Sequence, residues 1–526
     1  MLTLLQGDYK VQKKSFIKSA TLMMMATMVA KVIGACYRIP LTNILGAEGM
    51  GIYQLIFPVY SLILTTSSGA LPLAISVLVS ERIASQEYGR ARRLVKTALS
   101  GLLITGTALT LILMLTGGFI SSLQGSSKAT YGYIAIAPSI LFVSGIAVMK
   151  GWFQGNANMV PTALSQISEA IVKLAVGLTL AYFLMPYGVE YAVSGALIGV
   201  SASEGITFLM LLLIYKRKNP PIDLGFNIGG ARREYIEIIK ISLPITIGSM
   251  IFPLTQFIDS FMVVNILTLN VGVGNATALY GLFSGPVSTL INLPVALSLA
   301  IGVAVVPHLS KNKEERDLKA IRLKTTTAIK SAVLIGVPFA VLYLIAPYQI
   351  LKLLYGGLSE RELLQATNLL RISAPTVILL AVMQICTSVL QGLKNTRAPI
   401  INLLIGGAVK TASGVALLFT AGIEGVAIAS LIAFTVVCLL NALSLSKLMG
   451  KNGDVVKNSG VIILLGGIIA ICLTVAVHLT DSPIWILFTA VIGGLAYLIA
   501  VFLSRAFGKE EIISLPFGSA IVKLKK

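Results

Sequence analysis

Apolar residues run along this chain in stretches of about 20, separated by short polar or glycine- and proline-rich breaks, and the pattern continues from one end to the other. An unbroken apolar run of about 18 residues or more is long enough to cross a bilayer as a helix. The runs predict fourteen such helices, at 16–36, 51–79, 97–116, 133–150, 160–181, 193–214, 241–262, 277–305, 327–346, 369–390, 399–420, 425–445, 459–479 and 484–503. The fold class that follows is an all-α polytopic membrane protein.

The breaks between the runs alternate in charge. Segments 80–96 (Arg82, Arg90, Arg92, Arg93, Lys96), 215–240 (Lys216, Arg217, Lys218, Arg232, Arg233, Lys240) and 306–326 (Lys311, Lys313, Arg316, Lys319, Arg322, Lys324) are basic. So are the short breaks with Lys394 and Arg397, and with Lys447, Lys451 and Lys457, whereas the alternate ones carry little beyond Arg38, Lys128, Lys352 and Arg361. An even helix count puts both termini on one side. The N-terminal Lys10, Lys13, Lys14 and Lys18 and the tail residues Arg505, Lys509, Lys523, Lys525 and Lys526 agree that this side is the cytoplasmic one. No small-residue cleavage site follows the basic N-terminus, so it reads as a retained first helix of a multi-pass membrane protein.

Composition sharpens this picture. Of 526 residues 56% are hydrophobic and 12% charged, and 41 Lys and Arg stand against 21 Asp and Glu, a net charge of +20. In a soluble protein such an excess points to nucleic acid. Here the topology assigns it to loops facing an anionic inner leaflet, which removes nucleic acid as a partner. Cys36, Cys386, Cys438 and Cys472 all fall in apolar runs without CxxC spacing and read as buried small hydrophobes. His308 and His478 are far apart in sequence, so no metal or haem site is expected.

The sequence also repeats itself. Gln154, Gly155, Asn158, Val172 and Lys173 recur 237 positions later as Gln391, Gly392, Asn395, Val409 and Lys410; Leu71, Pro72, Ala74 and Ser76 recur 222 positions later as Leu293, Pro294, Ala296 and Ser298. The repeat predicts an N-lobe over 1–215 (helices 1–6), a C-lobe over 216–446 (helices 7–12), and appended helices 13–14 with a tail over 447–526. Six spans per repeat make the lobes parallel, with a central cavity between them. Gly69, Pro72 and Pro294 mark helix breaks at corresponding places, of the kind found near transporter sites; the alternative is that proline is common in membrane helices.

A charge at the bilayer centre costs about 2.5–3.5 kcal/mol on insertion scales, so each one needs a partner, a water-filled cavity or a function. The set is Lys31, Arg38, Lys173, Arg371 and Lys410 against Glu169, Glu204 and Asp259. Lys31 and Arg38 lie two turns apart on nearly one face of helix 1, with snorkelling to the headgroups as the alternative for Arg38 and Arg371. Glu169 and Lys173 stand at i and i+4, so a local ion pair and a transport role are both open. Lys410 has Gly406 where that glutamate would be. Glu204 and Asp259 balance facing cations or couple transport to Na⁺ or a proton. Five cations against three carboxylates suit an anionic substrate held at Lys31, Arg38, Lys173, Lys410 and Arg371. No Walker A motif, catalytic residue or cofactor site is found, and the protein reads as a transporter rather than an enzyme.

The run KVIGACYR from Lys31 to Arg38, the glycines of LGAEGMG (Gly46, Gly49, Gly51) and LPVALSLAIGVAVVPHLS from Leu293 to Ser310 resemble the MOP exporter superfamily, in particular its group of MurJ-type lipid II flippases, stage V sporulation protein B and Wzx-like polysaccharide flippases. The resemblance implies two parallel six-helix lobes plus two helices, MATE-like in fold. It implies a flippase that moves an undecaprenyl-pyrophosphate-linked cell-wall or polysaccharide precursor by alternating access, with membrane lipids and cell-wall synthesis machinery as its company. The two helix-1 basic residues of that type map onto Lys31 and Arg38, with one extra residue between the glycine and the arginine. Two further cavity arginines do not carry over. The rival is a cation-coupled multidrug exporter of the MATE type, which wants carboxylates where this chain has cations.

Overall fold

A computed structural model describes residues 2–218, 228–315, 317–450, 453–480, 482–504, 506–508 and 510–511. The tail cations Arg505, Lys509, Lys523, Lys525 and Lys526, with Arg316 and Lys451, lie outside the described residues. Those described form helices joined by short turns, as a bilayer demands of any chain that must satisfy its backbone internally. Eleven helices are long and apolar enough to cross a membrane, or twelve if the pair Glu360–Ser373 and Thr376–Gly392, bent by 47°, counts as one span.

By packing, the chain falls into two units. Unit 1 comprises Met1–Thr268 and Val273–Gly281, and unit 2 comprises Leu269–Gly272 and Leu282–Lys526. Unit 1 contains α1 (Leu2–Leu64), α2 (Leu71–Ala84), α3 (Tyr88–Leu123), α4 (Thr130–Ile136), α5 (Pro138–Gly155), α6 (Val160–Leu184), α7 (Val189–Lys218) and α8 (Ile228–Ser249), together with most of α9 (Ile251–Val271) and α10 (Val273–Leu282). Unit 2 contains α11 (Ser288–Glu314), α12 (Leu318–Ile345), α13 (Pro347–Leu354), α14 (Glu360–Ser373), α15 (Thr376–Gly392), α16 (Arg397–Met449), α17 (Gly453–Leu465), α18 (Gly467–Leu479) and α19 (Pro483–Leu503).

Several breaks differ from those expected. Predicted helices 1 and 2 are joined through 37–50 into α1, where Gly46 alone leaves the helical conformation (φ 66°, ψ −173°). That region of the backbone map is open essentially to glycine only. Predicted helices 11 and 12 are joined in the same way in α16, bent at Gly422 (φ 59°, ψ −139°). Predicted helix 7 is instead divided at Met250 into α8 and α9. Pro253 has no N–H to give the Ser249 carbonyl, which accounts for a break there. Gly69 ends a π-helical turn, Thr65–Gly69, and Pro72 is the second residue of α2. Pro294 sits inside the continuous helix α11; the π-helical turn of that region lies earlier, at Phe283–Val287 around Pro286. Pro294 falls in the second turn of α11 and has no N–H to give the Leu290 carbonyl, which accepts instead from the Tyr343 hydroxyl at 3.0 Å.

The repeat is visible in the backbone. Two residues past the end of α5 stands Ala157 at φ 55°, and two past the end of α15 Lys394 at φ 54°, 237 positions apart. The same hydrogen bonds close both ends: Ala157 N–H donates to Gln154 O and Lys394 N–H to Gln391 O, each 2.9 Å, and Asn158 N–H to Phe153 O and Asn395 N–H to Leu390 O, again 2.9 Å. A left-handed non-glycine residue is costly enough that its recurrence at matched positions is informative. Of the cysteines, Cys386 is buried, Cys438 and Cys472 are half-buried, and Cys36 is exposed on α1, against the expectation of burial for all four.

Candidate functional site

The charged residues of unit 1 are brought together by a close helix pair. Helices α6 and α7 meet in backbone contact at Gly177 and Gly199: a Cβ on Gly199 would stand 2.3 Å from the Gly177 Cα. Small residues of this kind let membrane helices approach closely. Following the two helices away from that crossing sets Glu169 and Lys173 of α6 beside Glu204 of α7. Helix α1 packs on α6, with the Tyr37 hydroxyl against the same Gly177.

Lys173 does not form the i,i+4 ion pair that spacing allowed. Its Nζ lies over two aromatic rings, 5.4 Å from the centroid of Tyr37 and 5.2 Å from that of Phe57. The ring faces attract the ammonium, a contact worth about 0.5–2 kcal/mol depending on desolvation. Glu169 turns to Glu204: the two carboxyl side chains meet, with Lys173 and Lys150 within electrostatic reach. Glu204 is 7% exposed, and Glu169, Lys173 and Lys150 are half-buried. Lys150, the last residue of predicted helix 4, was invisible to spacing arguments because the carboxylate it faces is on another helix.

A cavity of about 170 Å³ opens here, lined by Ala30, Gly34 and Tyr37 of α1 and by Gln166, Glu169, Ala170 and Lys173 of α6. Thr27 Oγ1 donates to Gln166 Oε1 at 2.8 Å and ties the two helices at its edge. Lys31 is exposed on α1 next to the lining, and Arg38 is half-buried one residue beyond Tyr37. Neither forms an ion pair with a described residue. Asp259 is buried on α9 and engages another group.

Two candidates belong to unit 2. Lys410 is half-buried on α16 and engages another group. Arg371 lies exposed at the end of α14, where its Nε donates to Leu344 O at 3.3 Å. That carbonyl is in the last turn of α12, so Arg371 caps a helix C-terminus.

The helical fold and this charge arrangement define a membrane transporter, and comparison places it. The profile of the polysaccharide biosynthesis protein family matches residues 16–313, and the MatE profile matches 244–414. The chain belongs to the polysaccharide biosynthesis protein family, within the MOP-superfamily flippase group. It is 27% identical to stage V sporulation protein B of Bacillus subtilis (strain 168), over 97% of this chain and 100% of that one. It is 22% identical to lipid II flippase MurJ of the same organism, over 92% and 94%. Among solved structures it is similar to a lipid II flippase MurJ in an inward closed conformation, with TM-score 0.72, 18% identity and coverage of 91% and 97%. It is also similar to an inward-facing multidrug resistance MATE family transporter, with TM-score 0.70, 17% identity and coverage of 82% and 97%.

Proposed function

We propose that the protein is a flippase that carries an undecaprenyl-pyrophosphate-linked cell-wall or polysaccharide precursor across the cytoplasmic membrane, with the pyrophosphate drawn to the basic residues of α1 and α6. The observation that carries this reading is the charge arrangement of unit 1. Lys173 and Lys150 offset the Glu169–Glu204 pair, whereas Lys31 and Arg38, two turns apart on α1, form no ion pair with a described residue. Unpaired cations on a membrane helix are retained for a function, and Lys and Arg are suited to phosphate oxygens. A pyrophosphate bearing sugars cannot pass about 30 Å of hydrocarbon without losing its hydration, and cationic partners offset that loss.

The topology supports the same reading. Met25–Ala84 and Arg397–Met449 are 60 and 53 residues long, each bent at one glycine, where a single crossing needs about 20. Counting each as two crossings raises twelve spans to fourteen. That is two sets of six and a terminal pair, with both termini cytoplasmic by the positive-inside rule. Likeness to stage V sporulation protein B and to lipid II flippase MurJ favours a lipid-linked precursor over a drug.

The test is transbilayer movement of a fluorescent polyprenyl-pyrophosphate glycan in proteoliposomes. Lys31→Ala and Arg38→Ala are expected to abolish movement while the variants still reconstitute and elute as folded protein. Normal rates in both variants would refute the cationic site.

A further inference from the structure

Unit 2 holds a buried ion pair that no transport role explains. Lys330, twelve residues into α12, is 2% exposed. Its Nζ donates to both carboxylate oxygens of Glu511, each at 2.9 Å, and to Ala506 O at 3.0 Å. All three donors of the ammonium are thereby used. The Phe507 ring lies 5.7 Å from Nζ and is itself 2% exposed, and Gly508 N–H donates to Glu511 Oε2 at 2.7 Å. Ala506, Phe507 and Glu511 therefore gather around a lysine of a different helix, and Gly508 holds the carboxylate that this lysine meets.

The terminal helices lie along that same helix. A Cβ on Gly466, between α17 and α18, would stand 2.5 Å from a methyl of Val337 on α12, and Tyr497 Oη of α19 reaches Leu334 O of α12 at 3.5 Å. This seam is mostly apolar. Where hydrocarbon surrounds the helices, apolar contact between them has no hydrophobic driving force to hold it shut. The ion pair does: parting it would strand a buried cation, at a cost large compared with any single apolar contact.

We propose that Ala506, Phe507, Gly508 and Glu511 form a clasp that locks helices α17–α19 onto α12, so that the terminal helices and α12 move as one piece and separate only when Glu511 leaves Lys330. The clasp is independent of the substrate proposed above, since none of its residues belongs to the cavity of unit 1.

The test uses the full-length protein in detergent, with the melting midpoint and the rate of tryptic cleavage at the tail as readouts; Arg505 and Lys509 provide the cleavage sites. Glu511→Gln is expected to lower the midpoint and speed tail cleavage by about tenfold or more, because the lysine is left buried and unpaired. Lys330→Met with Glu511→Gln is expected to recover most of both losses. A Glu511→Gln variant that melts and is cleaved like wild type overturns the proposal, and so does a double variant whose losses are the sum of the singles. If Glu511→Gln fails to fold, folding of the double variant supports the clasp and its failure overturns it.

Discussion

Lys173 and Arg371 are both cations in apolar runs of the sequence, and the structure puts them in different surroundings. Lys173 sits over two aromatic rings at a polar cavity, whereas Arg371 caps α12 at its last turn. Lys173→Met should therefore reduce flipping about tenfold or more with little change in melting, while Arg371→Ala should keep flipping near wild type and cost about 0.3–1 kcal/mol of stability. The proteoliposome assay and a melting curve separate the two, and equal transport loss in both would contradict the assignment. Spacing identified Glu169, Lys173 and Glu204 as charges needing an account. It could not choose between a local pair and a tertiary one, because Tyr37, Phe57 and Lys150 come from other helices. Lys330 escaped notice for the same reason: its partner Glu511 is 181 positions away.

At the scale of helices, apolar run length located most crossings, and the places it missed are governed by one or two residues. The predicted loop at 37–50 is helical because hydrogen bonding continues through it and only Gly46 departs. Nothing stands within 4 Å of a Cβ built at Gly46, so its substitution probes backbone conformation alone. Gly46→Ala is expected to destabilise by about 1–3 kcal/mol despite the open space; a melting curve matching wild type would show that the bend is not needed. Gly199 makes the complementary case. Gly199→Ala forces α6 and α7 apart at Gly177, and should lower both the melting midpoint and transport. Gly494→Ala on α19, where a Cβ meets nothing, should be neutral or stabilising by up to about 1 kcal/mol. Similar effects of the two alanines would contradict the close crossing that positions Glu204. The repeat was legible in the Gln-Gly pairs, and the left-handed Ala157 and Lys394 that follow them give it a backbone meaning that residue identity alone did not have.

Over the whole chain, the proposed topology separates the charge of +20 into an orienting part and a small membrane part. Basic residues of the loops also finish helices: Arg322 Nε donates to Met449 O at 2.6 Å at the end of α16, and Lys313 donates to Leu393 O just past α15. Cations at helix C-termini are favourable, so one set of residues serves topology and stability together. In the proposed function it is the membrane set that selects the cargo. A lipid II flippase MurJ and a multidrug resistance MATE family transporter are both similar to this chain in fold, so the choice of cargo has to be argued from the site and not from the fold. The most direct measurement places a fluorescent polyprenyl-pyrophosphate glycan and a lipophilic cationic dye in identical proteoliposomes and follows the movement of each. A cationic site on α1 and α6 predicts that the glycan lipid crosses and the dye does not; movement of the dye with the glycan lipid left in place would contradict it.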